Sequence, residues 1–241
     1  MKGVIMTRHI ATFGRLFLLV TTAAIAAPAL ATSLTIVNPS FEGEVLTCAP
    51  GFFCFVDGII PGWSVSSIPQ TATFKPSIGA GGEFPGGIPD GVNVAAIGNQ
   101  TATGAISQTL GVNLQANTVY TLSAAVGNRA DFPYSGYSME LDAGSNVLMS
   151  SSAVNPAPGK FLVDSFSFTT TASTVGLGQP IVIRFSSLVS DAQVDFDSVA
   201  LTEVPVAAPV PEPETYAMLL VGMGVLAVRA LRRKQQANAA A

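Results

Sequence analysis

The sequence predicts an all-β body of two packed sheets, on three observations. No apolar period of 3.6 runs for any length between Thr32 and Val204. Short stretches rich in Val, Ile, Phe, Thr and Ser alternate there with Gly, Pro, Asn and Asp clusters, about ten to fifteen residues apart. Several stretches alternate with a period of two, the mark of a half-buried strand. Tyr120, Leu122, Ala124 and Val126 share one face, as do Tyr137, Met139 and Leu141, and Ile181, Ile183 and Phe185.

Further strands are expected at Leu34–Val37, Trp63–Ser67, Thr71–Lys75, Val92–Ile97 and Ala105–Leu110. Others are expected at Val147–Ser151, Phe161–Thr170 and Gln193–Thr202. About ten or eleven short strands in one domain suit two stacked sheets better than one open sheet. Pro76–Gly91, dense in Gly and Pro, reads as a surface loop. The last strand holds an internal conflict. Val194 and Phe196 share one parity and Val199 and Leu201 the other, yet all four suit the core. A bulge at Asp197-Ser198 resolves it.

The two ends are of a different kind. Lys2, Arg8 and Arg15 precede the apolar run Leu16–Leu30, which closes on Ala29-Leu30-Ala31. That is the layout of a secretory signal peptide cut after Ala31. At the other end Pro211-Glu212-Pro213 precedes the charge-free run Tyr216–Val228, followed by Arg229, Arg232, Arg233 and Lys234. An apolar helix with a basic stop places the C-terminus in the cytoplasm and all before it outside. Thirteen apolar residues fall short of the roughly twenty that span a bilayer core, so the expected transmembrane anchor is a weak one. The expected organisation is a signal peptide over 1–31, a β-sandwich over 32–204, a Pro-rich linker over 205–214, and a transmembrane helix with a basic tail over 215–241.

Thirteen of the fifteen acids but only four of the eleven cations (Lys75, Arg129, Lys160, Arg184) lie in the body, a net charge of −9. An acidic body without a basic patch excludes nucleic acid as the expected partner. The one histidine, His9, lies in the signal segment, which removes imidazole-based triads and His-ligated metals from the mature body. Cys48 and Cys54, exported and six apart around Pro50-Gly51, suit a local disulfide.

The tail resembles the bacterial PEP-CTERM sorting signal, carried by Pro211, Glu212 and Pro213. The resemblance implies export, processing by signal peptidase and an exosortase, a passing inner-membrane tether, and a final place in the periplasm, surface or extracellular matrix. The body carries Val37-Asn38-Pro39-Ser40-Phe41-Glu42, Pro61-Gly62-Trp63 and Gln193-Val194-Asp195-Phe196-Asp197-Ser198-Val199-Ala200-Leu201. With Ile106–Leu110 and Tyr120–Ser123 between them, these resemble galactose-binding-like jelly-roll domains and related carbohydrate-binding modules. That resemblance implies a jelly roll whose first and last strands lie side by side, with a structural Ca²⁺ where they meet; Glu42 and Asp197 are the ligands it implies.

For the function, a non-catalytic surface or matrix protein is expected, with weak contact to extracellular polysaccharide. The loop Gly127–Tyr134 supplies the sugar candidates Arg129, Asp131 and Tyr134, a donor, an acceptor and an aromatic face. Trp63, after Pro-Gly, is expected in the core. Asp195 with Asp197, and Glu140 with Asp142, could serve as paired carboxylates of a glycoside hydrolase. Strand neighbours two apart are also the ordinary polar pattern, so no enzyme is expected. A purely structural surface protein and a carboxylate-only hydrolase remain the alternatives.

Overall fold

The computed structural model describes residues 30–49, 51–66, 71–98, 102–206 and 213–239. Residues 1–29 of the expected signal peptide, and Pro211 and Glu212 of the sorting motif, lie outside the described residues.

Ala29–Ala208 form one compact unit. Its strands are β1 (Thr32–Ser33), β2 (Cys54–Asp57), β3 (Ser64–Val65), β4 (Thr71–Lys75), β5 (Val94–Ile97), β6 (Ala105–Asn113) and β7 (Thr118–Asn128). β8 (Tyr137–Ala143), β9 (Asn146–Ser151), β10 (Lys160–Thr169), β11 (Pro180–Ser187) and β12 (Val194–Pro205) complete them. They form two antiparallel sheets, as a jelly-roll-like sandwich requires. The seven-stranded sheet runs β10-β7-β12-β5-β4-β2, with β1 on β12, and the five-stranded sheet runs β3-β6-β11-β8-β9.

The alternation read from the sequence becomes the core. Tyr120, Leu122, Ala124 and Val126 of β7 face Met139 and Leu141 of β8 and Ile181, Ile183 and Phe185 of β11 in one apolar cluster. Phe185 stacks on Phe196 at 4.5 Å between ring centroids, and Tyr137 meets the edge of Phe196 at 5.8 Å. Trp63 is buried as expected, between Phe41 (5.4 Å) and Phe185 (5.6 Å), and its indole N–H donates to Asn38 O at 3.2 Å. Asn38 stitches the first motif to the second: its amide donates to Pro61 O at 2.9 Å and its Oδ1 accepts from Gly43 N at 2.8 Å.

First and last strands do lie side by side, Thr32 opposite Glu203 and Ser33 opposite Thr202. The expected bulge is there too. Asp197 pairs with Ala125 but Ala200 with Ser123, so Ser198 and Val199 together oppose one residue of β7. Ser198 takes the left-handed region at φ 51°, and Val199 turns back into the core. The strand expected at Leu34–Val37 is not formed. The ladder stops at Ser33, and Leu34 adds only N–H to Leu201 O at 2.9 Å. β2 was hidden in the sequence by its shortness just after the cysteine loop; it forms because Cys54–Asp57 pairs along β4.

The segment read as a surface loop is a cover. Phe84 is fully buried and joins Phe74, Val94 and Ala96, with Ile88 and Phe161 against them, in a second apolar cluster. It sits on the face of the seven-stranded sheet turned away from the main core. Cys48 and Cys54 form the expected disulfide.

The C-terminal helix α1 (Pro213–Ala239) opens on the last residue of the sorting motif, a position where proline's missing N–H is no loss. The expected transmembrane span needs correction. No helix among the described residues is long and apolar enough to cross a membrane. The uncharged run covers only about 20 Å of helix against a core of about 30 Å, and Arg229, Arg232, Arg233 and Lys234 ride on the same helix.

Candidate functional site on the covered face

Alternation in β12 decides the site. Val194 and Phe196 point into the main core, so Asp195 and Asp197 point to the opposite, covered face. Both carboxylates are fully buried there. Asp195 lies opposite Ala96 on one side and Gly127 on the other, small neighbours that leave room above the sheet. Gly127 is needed for space: a Cβ there would come within 2.5 Å of the Phe161 ring.

Around Asp195 a polar chain leads inward from the surface. The Arg129 guanidinium donates through Nε and Nη2 to both oxygens of Asp131, at 3.0 and 2.9 Å. Its Nη1 donates to Gln193 Oε1 at 3.1 Å, and Gln193 Nε2 donates to Asp195 Oδ1 at 2.7 Å. Asp195 Oδ2 is buried and has no hydrogen-bond partner. Three rings surround the guanidinium, Phe74 at 4.7 Å, Phe53 at 5.5 Å and Phe132 at 5.7 Å from Cζ to centroid. Burial pushes the Asp195 carboxyl up to about 7, against the lowering influence of Arg129 and Gln193. A carboxyl in that range can hold a proton near neutrality and give it up.

Asp197 belongs to a second arrangement. Its Oδ2 accepts from Asp90 N at 2.9 Å and its Oδ1 from Ser198 N at 2.6 Å. Glu42 Oε1 accepts from Val92 N (2.8 Å) and Asn93 N (2.7 Å). Gly91, at φ 61°, is required, because a Cβ there would lie 2.3 Å from Glu42 Oε1. The two implied calcium ligands therefore grip one short segment, residues 90–93. Burial raises Asp197 to about 7, with Asp90 and Glu42 adding to the rise through their negative charge. Asn93 Oδ1 is buried beside them without a partner. Among the described residues, His, Cys, Asp and Glu side chains do not gather in threes at metal-binding spacing.

The sugar candidates are divided. Arg129 and Asp131 come together, but they satisfy one another, and the Arg129 side chain is 11% exposed. Tyr134 packs against the main core instead, with its hydroxyl buried and unpartnered and its pKa raised by burial. Glu140 and Asp142 sit on the other sheet and share Arg184, at 3.7 and 3.5 Å. Gln193, Phe53 and Phe74 were not anticipated as part of a site. Arg129 was the available signal, one of four body cations in a sheet-end loop with an acid two residues on.

This geometry can be set beside known proteins. Residues 32–202 match the model of the HpiC1-like family, described as HpiC1 cyclase. The chain belongs to this HpiC1-like cyclase family. A Stig cyclase, FisC of Fischerella sp. TAU, solved with (3Z)-3-(1-methyl-2-pyrrolidinylidene)-3H-indole, is similar at 27% identity. The match covers 73% of this chain and 100% of that one, with a TM-score of 0.64. A cyclase of the same organism solved with 4-(1H-indol-3-yl)butan-2-one is similar at 25% identity, over 73% and 100% of the two chains, TM-score 0.64. Family 16 Carbohydrate Binding Module-2 aligns at 15% identity over 69% and 97%, TM-score 0.42. No curated protein matches the chain. The expectation of a non-catalytic body is thereby overturned: the cyclase family covers almost all of it. The parity that made Asp195 look like a soluble-face residue misled because that face is covered. At the other end, residues 209–234 match the PEP-CTERM protein-sorting motif, as the tail suggested, which marks the chain for export to the cell envelope or surface.

Proposed function

We propose that the HpiC1-like body is an acid-promoted cyclase for an apolar, aromatic small molecule, with protonated Asp195 as its proton donor. One observation carries this reading: a fully buried carboxyl whose Oδ2 has no partner, on a face roofed by phenylalanines. Gln193 occupies Oδ1 as a donor, which leaves Oδ2 as the oxygen that keeps the proton. Asp195 would give that proton to an unsaturated carbon of the substrate. The ring bond then forms from a neighbouring π pair, and the resulting cation returns a proton to the carboxylate. The product is an isomer of the substrate, so no further reactant is needed. Aromatic faces such as Phe74 stabilise a passing cation. The indole compounds bound by the similar cyclases support an indole as the first substrate class to try.

The test uses the full chain in deuterium oxide with a panel of 3-substituted indoles bearing unsaturated side chains. The expected result is an isomeric product carrying deuterium, lost on Asp195→Asn. Failure of the wild-type chain to convert or deuterate any member would sink the reading.

The reaction would take place outside the cytoplasm, after signal peptidase cuts behind Ala31 and an exosortase acts near Pro211-Glu212-Pro213. Mass spectrometry of the mature protein from its host tests this, and a C-terminus still at Ala241 would refute the second cut. A structural Ca²⁺ between Glu42 and Asp197 is kept as part of the proposal. Crowded negative charge and the unpartnered Asn93 Oδ1 favour a hard, oxygen-seeking cation. Its test is a rise in melting temperature with added Ca²⁺ that EDTA reverses. The polysaccharide contact through Arg129, Asp131 and Tyr134 is not carried further, because the first two are spent on each other and the third faces inward.

A further inference from the structure

Asp195 has no exposed surface, so anything it protonates must first pass its cover. Of the three rings around Arg129, Phe74 is 1% exposed and held in a strand, while Phe53 is 40% exposed and sits on the cysteine loop. The Phe53 ring lies 5.8 Å from Phe74 and 6.4 Å from Phe55. The same ring helps to line a cleft of about 610 Å³, with Cys48, Phe52, Lys75, Ser77 and Glu83 among others. That volume falls within the range of small-molecule sites, roughly 300 to 1,000 Å³. Phe53 therefore touches both an open cleft and the Arg129 end of the Arg129–Gln193–Asp195 chain.

Two hydrogen bonds are seen among the described residues of the loop that carries Phe53. Phe52 N closes a local turn onto Ala49 O at 3.1 Å, and Ser77 Oγ reaches Gly51 O at 3.4 Å. Its firm anchor is covalent, the Cys48–Cys54 disulfide, and Cys54 directly follows Phe53. β2, which begins at Cys54, is an edge strand paired only with β4.

We infer that Phe53 is the gate of the Asp195 site, that an incoming planar aromatic ring takes its place against Phe74, and that the Cys48–Cys54 disulfide sets how tightly the gate closes. The inference rests on the cyclase reading for the identity of the site, but not for the gate's mechanics. A closed gate lowers apparent affinity by the fraction of time it is open. Opening it permanently therefore raises both apparent affinity and entry rate, whereas removing part of a binding wall lowers affinity.

The experiment measures indole binding to the full chain by calorimetry and its entry rate by stopped flow. Phe53→Ala is expected to bind about tenfold tighter and faster. Phe53→Trp, with a larger ring, is expected to slow entry by a similar factor. The Cys48→Ser/Cys54→Ser chain is expected to follow Phe53→Ala. Far-ultraviolet circular dichroism and the thermal melting curve, taken without indole, verify folding in each variant. Unchanged entry across the Phe53 variants, or weaker binding by Phe53→Ala, overturns the gate; unchanged entry in the double serine variant overturns the role of the disulfide. Asp195→Asn in the same assay keeps indole entry, so a failed gate and a failed cyclase reading give different results.

Discussion

The two faces of the seven-stranded sheet are both buried, yet they are built on opposite rules. Against the five-stranded sheet, Tyr120, Leu122, Val126, Val194, Phe196 and Leu201 join an almost wholly apolar cluster. Under residues 76–93, a smaller set of rings shares its space with Asp195 and Asp197. Burying Asp195 with one oxygen left unpartnered costs stability, and nothing in packing alone explains it. The first face holds the domain together. The second gives up stability to keep two carboxyls dry, which is the usual signature of a site rather than a core.

The largest effect that would sharpen this contrast is expected on the first face. Phe196→Ala removes a fully buried ring that touches both Phe185 and Tyr137. It should destabilise the body by about 3–5 kcal/mol in urea unfolding. A loss below about 1 kcal/mol would mean that this face is not the main core.

On the second face the sign is expected to reverse with pH. The folded pKa of Asp195 is raised from its ordinary value of 3.8 to about 7, so the fold favours the neutral form. The stability this supports is fully present below about pH 4 and is lost as pH rises through 7, on the order of 4 kcal/mol when complete. Asp197 is shifted in the same direction. Without calcium, the melting temperature should therefore fall between pH 4 and 8. Asp195→Asn should flatten part of that fall and leave the chain more stable than wild type at pH 8. A wild-type profile that rises with pH would break the comparison.

A smaller effect belongs to the clamp that keeps the cover in place. Gly91→Ala puts a Cβ at positive φ and against Glu42 Oε1, at a cost of about 1–2 kcal/mol. The larger consequence should be faster amide exchange at Val92 and Asn93, whose N–H groups Glu42 now accepts. Unchanged exchange there would mean that the cover is held from elsewhere.

Most strands were legible because alternation against a shared core is a local pattern, and β4 falls at Thr71–Lys75 as expected. The bulge expected around Asp197-Ser198, and found at Ser198-Val199, was legible for the same reason, since two parities in one strand cannot both reach the core without it. β2 was not legible: four residues between a disulfide and a turn carry no pattern of their own and form a strand only because β4 lies beside them. The same limit applied to the site. Arg129 and Asp131 could be paired from their spacing in the loop, but Gln193, just before β12, and Phe74, in β4, reach Arg129 from distant parts of the chain.

The residue order by itself determined the two-sheet body, the C-terminal sorting signal, the disulfide pair and the outward aim of Asp195 and Asp197. Each of these depends on contacts or periods within a few residues of chain. Whether the outward side of β12 meets water or a roof was decided only in three dimensions. It depended on where residues 76–93 came to rest, and that placement turned two ordinary strand acids into buried ones with pKa values near 7. Solvation is set by everything packed around a group, so no local pattern records it.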